Sequence, residues 1–132
     1  MTTFVDTSAL YAILDADDQQ HGPARQTWAA LLSETADLVA SNYVVVETTA
    51  LVQHRLGMEA VRTLQEDVLP VIRIEWVSET THQGGITALL TAARRQLSLV
   101  DCVSFELMRR LGIRRVLAFD EHFAEQGFEV VP

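Results

Sequence analysis

Four acids stand at positions where a carboxylate could do more than keep the chain soluble: Asp6, Glu47, Asp101 and Asp120. Asp6 follows Phe4-Val5 and precedes Thr7-Ser8, at a strand-to-helix turn. Asp120 follows Arg115-Val-Leu-Ala-Phe119 in the same way. Glu47 lies three residues after Val44 and four before Leu51, on or beside the apolar stripe of a helix. Asp101 stands in the first turn of a helix opened by Ser98. Each acid alone has a plain structural role. Asp6 and Asp120 suit N-caps, Ser98-x-x-Asp101 suits a capping box, and Glu47 suits a flank with its head in water. Gathered in one crevice they would do something else. Two like charges 4 Å apart repel by about 4 kcal/mol at an effective dielectric of 20, so the pKa values would rise unless a cation were present. An all-oxygen donor set selects Mg²⁺ or Mn²⁺ over zinc. Such ions activate water and stabilise the leaving oxygen of a phosphodiester.

The elements around them make that gathering plausible on topology. Phe4-Val5 reads as a strand and Thr7–Leu14 as a helix; Asp15–Asp18 is a loop, and Gln20–Leu32 a second helix. Leu38–Ala40 is strand-like. Ser41 then caps a helix with the stripe Val44, Val45, Thr48, Leu51, Val52, ended by Gly57. Met58–Leu69 reads as one helix stopped by Pro70, and Val71–Ile74 as a strand. Ser78–Gln96 reads as helical, with Gly84-Gly85 marking a weak start or a hinge. Ser98–Leu111 is a helix closed by Gly112, Arg115–Phe119 a strand, and Phe128–Val131 another. Strands alternating with helices predict a single α/β domain over residues 1–132, a three-layer α/β/α sandwich around a mostly parallel sheet. Sites in such sheets form beyond the carboxyl ends of the strands, where Asp6 and Asp120 both fall.

Composition narrows the function. A net charge of −8 argues against a bulk nucleic-acid binder. All ten basic residues are arginine, and six form the pairs Arg94-Arg95, Arg109-Arg110 and Arg114-Arg115. They read as solvated helix ends, or as local positive charge beside the crevice. The single cysteine, Cys102, excludes an intrachain disulfide and fits a reducing cytoplasm. No apolar stretch approaches a bilayer span, and the first residues lack the basic start of a signal peptide. His21, His54, His82 and His122 show no zinc spacing and read as surface or helix-end residues, although His21 and His122 lie close enough in sequence to approach the crevice. Cys102, Trp28 and Trp76 read as packing residues. Phosphate-cradle and nucleophile-elbow motifs are absent.

FVDTSAL, VVVET, LSLVDCVSF and VLAFDEHFAEQGFEVV together resemble the PIN domain, and more narrowly the VapC-like toxins of toxin–antitoxin pairs. The resemblance runs over essentially the whole chain. It implies an endoribonuclease in which Asp6, Glu47, Asp101 and Asp120 hold Mg²⁺ or Mn²⁺, with Thr7 and Ser8 beside them. It also implies a homodimer and inhibition by a small antitoxin protein. Where many members carry Thr or Ser two residues before the fourth acid, this chain has Ala118, which puts one supporting hydrogen bond in doubt. Phosphatases and receiver domains that also place an Asp after a first strand rely on a lysine, and this chain has none. A non-catalytic PIN-like binding module would be expected to have lost one or more of the acids; a PIN nuclease of general RNA processing remains an alternative to the toxin.

Overall fold

The computed structural model describes residues 1–132. The strands are β1 (Thr2–Val5), β2 (Asp37–Ser41), β3 (Arg73–Glu75), β4 (Arg115–Leu117) and β5 (Glu129–Val131). The helices are α1 (Thr7–Leu14), α2 (His21–Ser33), α3 (Asn42–Leu56), α4 (Met58–Thr63), α5 (Glu79–Ala92), α6 (Leu99–Leu111) and α7 (His122–Glu125). The sheet order is β3-β2-β1-β4-β5 and every pairing is parallel. The expected mostly parallel sheet is therefore wholly parallel. With helices taking up every crossover, the fold is the α/β sandwich read from the sequence.

β1 lies at the centre, and Phe4 and Val5, which point to opposite faces, are both fully buried. That two-sided burial is why the strand is apolar throughout rather than alternating. Val39 and Ala40 of β2 and Val116 and Leu117 of β4 extend the same buried layer. Leu10, Val44, Val52, Leu64, Met108 and Phe123 cover it from the helices, and all are fully buried.

Several expected boundaries move for local reasons. Met58–Leu69 is not one helix: α4 ends at Thr63, a π turn spans Leu64–Val68 and a 3₁₀ turn Leu69–Val71. Pro70 supplies no N–H and restricts the residue before it, so the break spreads backwards. The strand then starts at Arg73, two residues late. α5 stops at Ala92 because Ala93 takes a left-handed conformation with φ 50°. Gly84 and Gly85 mark neither a weak start nor a hinge. They lie inside α5, where a Cβ on Gly85 would stand 2.5 Å from Val103 Cγ2 and 3.2 Å from the Val103 backbone. These glycines let α5 lie close against α6. Trp28 packs against the core, but Trp76, expected inside, is 77% exposed just past the end of β3.

Candidate active site at the carboxyl ends of the strands

β1 and β4 are adjacent and parallel, with Val5 opposite Leu117. Asp6 and Asp120 therefore leave neighbouring strands at the same edge of the sheet. Asp6 N–H donates to Leu117 O at 3.1 Å, which fixes the two exits together. Asp101 enters from the first turn of α6 and Glu47 from the second turn of α3. The charges of Asp101 and Asp120 raise the pKa of both Asp6 and Glu47, so the four acids share one electrostatic neighbourhood.

The structural and chemical roles of the aspartates are divided between their two oxygens. Asp6 Oδ2 accepts from Ser8 N at 3.1 Å and from Ser8 Oγ at 2.7 Å, capping α1. Asp101 Oδ2 accepts from Ser98 N at 3.1 Å while Ser98 Oγ accepts from Asp101 N at 3.0 Å, a complete capping box. Asp120 Oδ1 accepts from His122 N at 2.9 Å, closing its own turn. Asp120 is thus not the helix N-cap; that position is Glu121, one residue later. Each aspartate thus spends one oxygen on its own turn and keeps the other for something else.

Three hydroxyls bind the site together. Ser8 Oγ donates to Asp6 and accepts from Phe119 N at 2.9 Å, bridging the exits of β1 and β4. Ala118 supplies no hydroxyl here, and Ser8 makes the link across the gap. Thr48, fully buried in α3, donates to Thr7 Oγ1 at 3.0 Å. The Thr7 hydroxyl lies beside Glu47 and offsets part of the rise in its pKa.

Burial dominates the electrostatics. Asp6 is 3% exposed, and desolvation, only partly offset by the Ser8 bonds, pushes its pKa up to about 7. Burial likewise raises Asp101, and Glu47 to a lesser depth of burial. No arginine pairs with any of the four acids; the one basic side chain beside them is His122, whose Nε2 stands 3.9 Å from Asp120 Oδ1. A buried carboxylate without a cationic partner is costly, and an oxygen-only donor set is what a hard divalent ion takes. The donor chemistry fits such an ion. The side chains as they stand do not bring three carboxylates to ligand distance of one point.

Other expectations resolve differently. Arg109 and Arg110 lie at the far end of α6, about 12 Å along the helix from Asp101 at 1.5 Å per residue. Arg114 and Arg115 stand at the amino end of β4, opposite its exit to Asp120. Neither pair forms an ion pair with any of the four acids. His21 sits at the start of α2 and donates through Nδ1 to Ala12 O at 2.8 Å. His122, expected at the surface, is 8% exposed and faces the site. Its signal in the sequence is the spacing Asp120-x-His122-x-x-Glu125, a histidine set between two acids across one helical turn.

Residues 3–129 match the PIN domain family, and the chain belongs to it. Within that family it is 37% identical, over 98% of both chains, to the 23S rRNA-specific endonuclease VapC20 of Mycobacterium tuberculosis. The crystal structure of that protein, described as a sarcin-ricin loop cleaving toxin, superposes with a TM-score of 0.88 at 35% identity over the whole of both chains. FitAcB of Neisseria gonorrhoeae, at 17% identity and a TM-score of 0.72, shares the fold over 100% of this chain and 97% of its own. The class expected from the sequence motifs, a PIN nuclease, is the class to which the chain belongs.

Proposed function

We propose that the chain is a Mg²⁺- or Mn²⁺-dependent endoribonuclease of a single domain, residues 1–132, acting as the toxin of a toxin–antitoxin pair in the cytoplasm. The observation that carries the metal site is Asp6: a buried carboxylate with a raised pKa, beside Asp101 and Asp120, with no arginine in reach. Asp6, Glu47, Asp101 and Asp120 would hold the metal, which supplies an activated water and charge neutralisation at the scissile phosphate. The protein's own part is positional. Ser8 holds Asp6 and the Asp120 turn at a set separation, the Thr48–Thr7 pair orients Glu47, and the Ser98 box fixes Asp101 at the helix start. No helix is long and apolar enough to cross a membrane.

Ribosomal RNA is the substrate class we infer, since the relative at 37% identity is named for 23S rRNA. A homodimer is favoured by one exposed apolar surface. Val46 and Trp76 are 68% and 77% exposed, and they border a groove of about 410 Å³ with Val45, Leu69, Pro70 and Ile74. Such a patch marks a protein contact more often than a bare surface. The small antitoxin follows from the VapC-like resemblance.

The test is cleavage of ribosomal RNA with Mg²⁺, Mn²⁺ or EDTA, comparing wild type with Asp6→Asn and Asp101→Asn. Metal-dependent cutting, lost in both folded variants, is the expected result. Cutting that survives EDTA, or survives both substitutions, rejects the carboxylate site.

A further inference from the structure

Asp120 is the acid with the least regular support, since it lies between β4 and the four-residue α7 and on neither. Helices that short do not hold themselves. α7 is anchored on one side by Phe123, fully buried, whose ring meets Phe105 of α6 edge-on at 5.0 Å. On the other side runs a chain of polar contacts. Arg94, just past α5, donates to Glu125 Oε2 at 3.0 Å. The same oxygen accepts from His122 Nδ1 at 3.4 Å. The opposite ring nitrogen, Nε2, lies 3.9 Å from Asp120 Oδ1, a packing contact, and that oxygen is held by the His122 backbone N–H at 2.9 Å. His122 is nearly closed from solvent, so its ring cannot swing outward without exposing this contact.

We propose that Arg94, Glu125 and His122 form a positioning chain that turns Asp120 so that Oδ1 is held and Oδ2 faces the acid cluster. The inference rests on the carboxylate-site reading above and adds three residues that do not touch substrate. Fixing the ring of His122 fixes the wall against which the Asp120 carboxylate rests. Glu125 sets the ring's rotation, and Arg94 sets Glu125 while joining the α5–α6 connection to the site. Partners of this kind, one step behind a metal ligand, change affinity for the ion. The Arg94–Glu125 pair is half exposed and so contributes little to stability, which makes it separable from folding.

The experiment is Mn²⁺ titration by calorimetry, with thermal unfolding of each protein alongside. Wild type is compared with His122→Asn, Glu125→Ala, Glu125→Gln and Arg94→Ala, and with Arg110→Ala, which breaks a surface pair with Glu106, as the control. His122→Asn should weaken Mn²⁺ binding by about tenfold or more. Glu125→Ala and Arg94→Ala should each weaken it several-fold with unfolding temperatures near wild type. Glu125→Gln keeps an acceptor oxygen and should recover most of the loss. The double variant Arg94→Ala/Glu125→Ala should be no worse than Glu125→Ala alone, because the two act through one contact. If His122→Asn fails to fold, the Glu125 and Arg94 variants decide the matter. Affinity within twofold of wild type in both of those surface variants overturns the chain, whatever His122→Asn does. Wild-type Mn²⁺ binding that persists in Asp6→Asn instead rejects the carboxylate site itself, and the chain with it.

Discussion

Replacing Asp6 with Asn should stabilise the metal-free protein at pH 8 and not at pH 4. Asp6 titrates near 3.8 when solvated and at about 7 in the fold, with burial as the main cause. The native state therefore binds the proton more tightly than the unfolded chain does. Stability is fullest at the acid end of this window and falls as the pH rises from about 4 through 7. Three units at 1.36 kcal/mol each make that fall about 4 kcal/mol. Solvent screening takes little from it, because the side chain is 3% exposed. Asn keeps an oxygen for the Ser8 N–H and Oγ–H bonds, but its amide N–H groups enter a buried place at a cost of about 1–3 kcal/mol. That cost is the same at both pH values, so it cancels when the wild-type-to-variant gap is compared between them. Urea unfolding in metal-free buffer at pH 4, 6 and 8 measures the gap. It should shift in the variant's favour by about 4 kcal/mol from the lowest pH to the highest. Added Mn²⁺ should then raise the stability of wild type alone, by RT ln(1 + [Mn²⁺]/Kd). A gap that stays constant across the three pH values refutes the reasoning, because Asp6 would then carry no burial penalty.

Four further outcomes are expected. Mn²⁺ affinity of the wild type should rise with pH up to about 7 and then level, because the ion must displace the Asp6 proton, and calorimetry at several pH values will show the break. Gly85→Ala should destabilise the protein by about 1–3 kcal/mol, because its Cβ meets the Val103 backbone, whereas Gly84→Ala meets only the movable end of Glu106 and should be much milder; chemical denaturation compares them. Trp76→Ser should leave the unfolding temperature near wild type and, for the homodimer proposed above, shift sedimentation towards monomer, because an exposed tryptophan contributes little to the monomer's core. Charge reversal at Arg114 should leave RNA affinity and its salt slope almost unchanged, because that residue stands at the opposite end of β4 from Asp120.

The order of elements was legible because periodicity survives in single sequences. The apolar run at β1 and the stripe of α3 each announced its type, and the alternation of strands with helices announced the parallel sheet. The positions of Asp6 and Asp120 were legible for the same reason, since a strand's end is a local property. What stayed hidden depends on neighbours that are distant in sequence. Trp76 looked like core because tryptophan is usually covered, yet β3 is an edge strand and nothing in this chain covers its exit. Gly84-Gly85 looked like a weak helix because only the approach of Val103 and Glu106 explains them. Arg109-Arg110 and Arg114-Arg115 look available to the crevice because a linear string does not say which end of a helix or strand faces the site. His122 reads as a surface residue because its burial is imposed by the packing of α7 through Phe123.

Capping and the proposed metal ligation read as rival explanations for Asp6, Asp101 and Asp120, and the geometry makes them compatible. A carboxylate has two oxygens, and in each residue one is tied to a nearby N–H within its own turn. That bond fixes the carboxylate's rotation at little cost, because it is local and would form in any helix start or turn. The other oxygen accepts no hydrogen bond within its own turn. A sequence can therefore spell such a site in the vocabulary of ordinary caps, and each acid read singly will look like one. The proposed site rests instead on Asp6 and Asp120 leaving adjacent strand exits, with Glu47 and Asp101 in the same electrostatic neighbourhood, and on burial raising the pKa of Asp6, Glu47 and Asp101 with no arginine paired to them.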